Sequence, residues 1–169
     1  HGPENDRRKV NLAVTMRTPG HDFELAAGFL YSEGIIHSKD DLEDIRYCLD
    51  VKSEEEENNV VVVRLMPTVP FDPDAHQRNF YANSSCGVCG KASIEALEMA
   101  ACPVLPTGKP QVDTAFFQKL SAAVSGQQTV FKHTGGIHAA VMFDIKGKPG
   151  LIREDIGRHN AVDKLVGAA

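Results

Sequence analysis

Two cysteines, Cys86 and Cys89, stand in Cys86-Gly87-Val88-Cys89-Gly90, just ahead of a helical pattern that runs to about Ala101. The C-x-x-C spacing brings two thiols together at a helix start. There the unsatisfied N–H groups and the macrodipole favour an anion. The thiolate is the reactive form of cysteine, and this environment lowers thiol pKa. The polar approach Asn83-Ser84-Ser85 and the flanking glycines indicate an exposed, tight backbone rather than inert packing. Three chemistries follow from the pair: redox exchange, sulfur carriage or metal ligation.

Two further segments offer ligand-binding groups. In Lys132-His133-Thr134-Gly135-Gly136-Ile137-His138, a Gly-Gly step enters a strand. Gly135 and Gly136 permit positive φ and close approach of a ligand to the backbone, although an ordinary turn reads the same way. His138 alternates to the face opposite Ile137; a lone strand histidine is more often structural than catalytic. In Arg153-Glu154-Asp155-Ile156-Gly157-Arg158-His159-Asn160, a strand end, a glycine turn and a helix start follow one another. That arrangement presents N–H groups to an anion. Arg158 and His159 add donors suited to phosphate. Asp155 reads as a partner for His159 or for a ligand hydroxyl; the bland alternative is a helix cap with surface charges.

A zinc site needs four ligands, and no second C-x-x-C is present. Zinc would have to recruit His133, His138 or His159, so no metal site is assigned. A thioredoxin-like pair would follow the first strand of a βαβ unit, whereas this one sits in mid-chain. The four cysteines of the chain suit a reduced, cytoplasmic setting, with Cys48 and Cys102 as small buried hydrophobes.

The elements that position these groups come from periodicity. Val10–Met16 reads as a strand. Thr18 is placed as the N-cap and Pro19 as the first residue of a helix with Phe23, Ala26, Ala27 and Leu30 on its apolar face, ended by Gly34. Ile45–Val51 and Asn59–Met66 read as strands around a solvated acidic loop, Glu54–Glu57. The second is almost all valine, which predicts burial on both faces. Arg78–Ser84 leads extended into the cysteines. Asp113 caps a helix with Phe116, Phe117, Leu120 and Val124 as its stripe. Ile137–Asp144 alternates, a turn follows at 146–150, Leu151–Asp155 returns, and Asn160–Val166 is a last helix. Alternating strands and helices predict an α/β sandwich in one domain over residues 1–169. The net charge of −5 argues against nonspecific nucleic-acid binding. No apolar run approaches the roughly 20 residues that span a bilayer. The start at His1 and the stop at Gly167-Ala168-Ala169 suggest a chain cut at both ends.

Taken together, Cys86–Gly90, Thr134-Gly135-Gly136-Ile137-His138-Ala139-Ala140 and the run from Glu154 to Leu165 resemble the FdhD family, formate dehydrogenase accessory sulfurtransferases. Leu25–Ile36 resembles a further family segment. The resemblance covers the chain from about Val10 to its end. It implies a cytidine-deaminase-like αβα sandwich with a mixed sheet. It implies a cytoplasmic sulfur carrier that takes persulfide sulfur from a cysteine desulfurase. The sulfur would pass to the molybdenum bis(guanine dinucleotide) cofactor, a bound substrate, for formate dehydrogenase. Cys86 is then the persulfide carrier and Cys89 its partner. Gly135, Gly136, His138, Arg158 and His159 would serve the nucleotide pocket, with a guanine nucleotide as mimic and a homodimer as the assembly. Family members extend further at both ends, with a C-terminal glycine-rich segment at the cofactor. Deaminase chemistry is not expected: His138 is followed by Ala139-Ala140, and no glutamate stands in place to activate water. The alternatives are a zinc-stabilised binding module and a dithiol oxidoreductase.

Overall fold

The computed structural model describes residues 1–73, 106–108, 110–124 and 126–169. Cys86, Cys89 and Cys102, the lead-in from Arg78 and the helix to Ala101 lie outside these residues. The described elements are α1 (Asp22–Ser32), β1 (Leu42–Tyr47), β2 (Val61–Leu65), α2 (Thr114–Val124), α3 (Thr129–Thr134), β3 (His138–Phe143), β4 (Pro149–Asp155) and α4 (Arg158–Ala168).

The α/β character expected from the alternation is present. The expected mixed sheet is not formed by the described strands. They make two separate antiparallel pairs, β1 with β2 and β3 with β4. Val10–Met16 belongs to neither. Val14 is 94% and Met16 80% exposed, and the stretch expected as a strand pairs with none of the described strands. The valine run of β2 is half-buried rather than covered on both faces.

α1 begins three residues later than a cap at Thr18 predicts. Thr18 is occupied elsewhere: its amide donates to Asp155 and its hydroxyl accepts from the Ile156 amide. The chain turns instead through left-handed Gly20 and His21, and His21 becomes the cap residue. Gly34 ends α1 as expected. It adopts φ 71°, its amide reaches Tyr31 O, and the Ile35 amide reaches Leu30 O, which is a Schellman closure. Leu30 and Ile35 then enter the core with Ile36, Leu65 and Val69.

The buried face of α1 is Asp22, Leu25, Gly28 and Leu30; Phe23 is exposed. The face turned because α4 lies directly against it. A Cβ on Gly28 would stand 1.8 Å from Asp163 O, and one on Gly167 would stand 2.0 Å from Glu24 O. Two glycines therefore let two backbones touch.

The β3–β4 hairpin carries helices on both faces. Opposed residues of an antiparallel pair share a face. Ala140 opposes Arg153, and Arg153 bonds Glu24 of α1. Ala139 opposes Glu154, which bonds α3. The predicted stripe of α2 holds for Phe116, Leu120 and Val124, while Phe117 is exposed. The Asp113 carboxylate accepts from the Phe116 amide as a cap should. Among the described residues, no helix is long and apolar enough to cross a membrane.

Candidate functional site

The open end of the β3–β4 hairpin gathers the described candidates. His138 opens β3, and its register partner across the ladder is Asp155, the last residue of β4. Gly135 and Gly136 lie three and two residues before His138. Arg158 and His159 open α4 three and four residues after Asp155. His138, Arg158 and His159 are all exposed. Five residues chosen from two separate segments thus arrive at one end of one hairpin.

Strand β4 fixes this end with three consecutive side chains. Arg153 forks onto Glu24, Nη2 to Oε1 at 2.8 Å with Nε on the other oxygen. The hydrogen bond from Arg153 holds the Glu24 carboxyl below its ordinary range, against partial desolvation. Glu154 points to the other face and caps α3. It accepts from the Val130 and Phe131 amides, both at 2.9 Å, and from Thr129 Oγ1 at 3.3 Å. Six-residue α3 therefore starts on Glu154 and stops at Gly135, which takes φ 66° and donates its amide to Phe131 O at 2.8 Å. No Cβ clash restrains Gly135, so its glycine serves the left-handed backbone rather than tight packing.

Asp155 is fully buried and does not hold His159. Its Oδ1 accepts from the Gly157 amide at 2.9 Å and from Asn160 Nδ2 at 3.0 Å. Its Oδ2 accepts from the Thr18 amide at 3.0 Å and from Lys164 Nζ at 2.7 Å. Lys164 is 1% exposed, with Nζ also donating to Thr18 O at 2.8 Å. The sequence pointed neither to Lys164 nor to the contacts that Thr18 and Asn160 make with Asp155. A lysine is almost never fully buried unless paired, and its partner here lies nine residues upstream on a different element. Its spacing from Ala161, the other buried residue of α4, was the available signal.

The N-cap of α4 is Gly157, which has no side chain of its own to cap the first turn. The leading N–H groups of α4 and the side chains of the exposed residues Arg158 and His159 form a donor set. Donors of this kind suit phosphate oxygens, which accept from main-chain amides and from the planar fork of arginine. The donor set therefore fits the phosphates of a nucleotide.

Other features fall outside this site. A groove of about 310 Å³ between α2 and β3 is lined chiefly by Leu120, Val124, Ala139, Val141 and Phe143, and none of the candidates reaches it. Cys48 is half-buried rather than buried, with its thiol on Asp50 O at 3.4 Å. Among the described residues, no three His, Cys, Asp or Glu side chains converge to hold a metal ion.

Comparison with known proteins supplies the context. Residues 7–169 match the FdhD/NarQ family. The sulfur carrier protein FdhD of Streptomyces coelicolor is 46% identical over 160 residues, covering 94% of this chain and 57% of that protein. The sulfur carrier protein FdhD of Thermoplasma volcanium is 41% identical over 165 residues, covering 96% of this chain and 57% of that protein. The chain thus spans a little over half the length of these relatives. A crystal structure described as a formate dehydrogenase accessory protein from Desulfotalea psychrophila shares the fold. It aligns with TM-score 0.58 and 20% identity over 91% of this chain and 52% of that one.

Proposed function

Because the chain belongs to the FdhD/NarQ family, we propose that it carries sulfur to a formate dehydrogenase. The carrying observation is the family match across residues 7–169, which includes the Cys86–Cys89 pair. The donor is a cysteine desulfurase bearing a persulfide. The recipient is the molybdenum bis(guanine dinucleotide) cofactor, bound as a substrate before it enters the dehydrogenase. The protein acts as a cytoplasmic homodimer, where thiols stay reduced. Its complete fold is the deaminase-like αβα sandwich; the helices on both faces of the β3–β4 hairpin support that layering.

The Cys86 thiolate attacks the terminal sulfur of the donor persulfide. The donor's S–S bond breaks, its cysteine leaves as a thiolate, and Cys86 holds the persulfide. Delivery reverses the polarity. The Cys89 thiolate attacks Cys86 Sγ, the outer sulfur leaves as sulfide toward the molybdenum, and a Cys86–Cys89 disulfide remains for an external dithiol to reduce. Gly135, Gly136, His138, Arg158 and His159 hold a guanine nucleotide end of the cofactor while this happens. The support is their gathering at one hairpin end beside the first turn of α4.

Loading is read by mass spectrometry after incubation with a cysteine desulfurase and cysteine. The Cys86 peptide gains about 32 Da, one sulfur atom on the attacking thiol. A Cys86→Ala protein that still carries the added sulfur and still matures the dehydrogenase overturns the assignment.

A further inference from the structure

The strongest unassigned feature is the Lys164–Asp155 pair. It is almost wholly excluded from water, at 1% and 0% exposure. A buried ion pair adds little net stability compared with apolar residues of the same volume, and its best-attested role is to fix one arrangement among several. What this pair fixes is specific. Three stretches of chain converge on it: residues 15–18, the end of β4 and the first half of α4.

The contacts of the pair tie the turn that leads into α4 to Thr18 and Asn160. Asp155 takes the Gly157 amide on one oxygen and the Thr18 amide on the other. Lys164 closes the loop on Thr18 O. Thr18 returns its hydroxyl to the Ile156 amide at 2.9 Å. Asn160, bonded to Asp155, reaches back to Met16 O at 2.8 Å. The turn 156–157 is therefore held at both of its amides, and the next two residues are Arg158 and His159. Gly157 completes the packing, because a Cβ there would stand 3.0 Å from Asn160 Nδ2.

We infer that Lys164 and Asp155 are positioning residues for the nucleotide site: their buried pair sets the angle at which Arg158, His159 and the first-turn amides of α4 meet phosphate. Preorganised donors bind better because their ordering is completed during folding. The inference rests on the nucleotide reading given above.

The test measures guanosine diphosphate affinity and melting temperature on the same chain. Lys164→Met leaves Asp155 buried and unpaired; it lowers both melting temperature and affinity. Lys164→Met with Asp155→Asn removes both charges; it regains melting temperature but stays about tenfold or more weaker for the nucleotide, the scale of one charge-assisted contact. Thr18→Val deletes only the acceptor for the Ile156 amide and weakens binding several-fold in a folded protein. Recovery of affinity together with stability in the double variant overturns the inference, because the pair would then serve the fold alone. Wild-type affinity in Thr18→Val overturns it equally. Both results leave the nucleotide reading standing. Absence of binding by the wild type overturns the nucleotide reading itself, and the inference with it.

Discussion

Replacing Gly28 by alanine tests the backbone contact that holds α1 against α4, and the sign of the effect decides the matter. In an ordinary helix the change is favourable by about 1 kcal/mol, because alanine is the better helix former. Here the added Cβ would lie 1.8 Å from Asp163 O, 2.6 Å from its carbonyl carbon and 2.9 Å from Gly167 N, where ordinary contact begins at 3.4 Å. All three neighbours are backbone, so no side chain can rotate away. The helices must part by roughly 1.5 Å, and overpacking of this kind costs about 1–3 kcal/mol. Taking the upper end and subtracting the propensity gain leaves a net loss of about 2 kcal/mol. For a chain of this size that lowers Tm by about 4–8 °C. Gly126→Ala is the control, since a Cβ there meets nothing within 4 Å. Thermal and urea unfolding followed by circular dichroism reads both variants. A Gly28→Ala protein as stable as the wild type, or more stable, would refute the close packing of α1 on α4.

Two other perturbations bear on the same region. Burial raises the Asp163 carboxyl to about 6, aided by the nearby Glu33 charge and opposed by the Ser32 hydroxyl. The folded state then binds the proton more tightly than the unfolded state. Asp163 accordingly costs nothing below pH 3.8, and its cost grows as pH rises toward 6, reaching about 3 kcal/mol above it. Asp163→Asn keeps an acceptor for Ser32; its stability gain over wild type should be near zero at pH 4 and reach its plateau by pH 8, whereas a gain that ignores pH contradicts the shift. Glu154→Ala removes three acceptor contacts at the start of α3 and should cost about 1–2 kcal/mol in urea unfolding. It should also loosen the Gly135 turn and weaken guanosine diphosphate binding; unchanged stability would show that Glu154 does not anchor α3.

The legible parts of the chain were those set by local pattern. The alternation of Ile137, Ala139, Val141 and Phe143 gave the strand and its half-buried face, and Asp113 gave the start of α2. Gly34 gave the end of α1 for the expected reason, a left-handed closure. What local pattern could not give was distant partnership. Thr18 looks like a cap from its neighbours, but Asp155 and Ile156, far along the chain, claim its amide and hydroxyl. Phe23 looks like a core residue until Gly28 and Gly167 bring α4 against the adjacent face. Lys164 looks like surface charge until Asp155 is buried beside it. The Gly135 turn and the start of α4 were legible because glycine turns and helix starts are local signals. The Lys164–Asp155 pair was not, because its logic is entirely tertiary.

On the proposed function, Cys86 passes sulfur to a cofactor destined for formate dehydrogenase. The direct measurement follows radioactive sulfur from cysteine, through a cysteine desulfurase, into this protein and then into the cofactor isolated from the matured dehydrogenase. Label is expected on Cys86 first and on the cofactor afterwards, with both lost in Cys86→Ala. Label reaching the cofactor through the Cys86→Ala protein, or label remaining on Cys86 while the dehydrogenase matures, would contradict it.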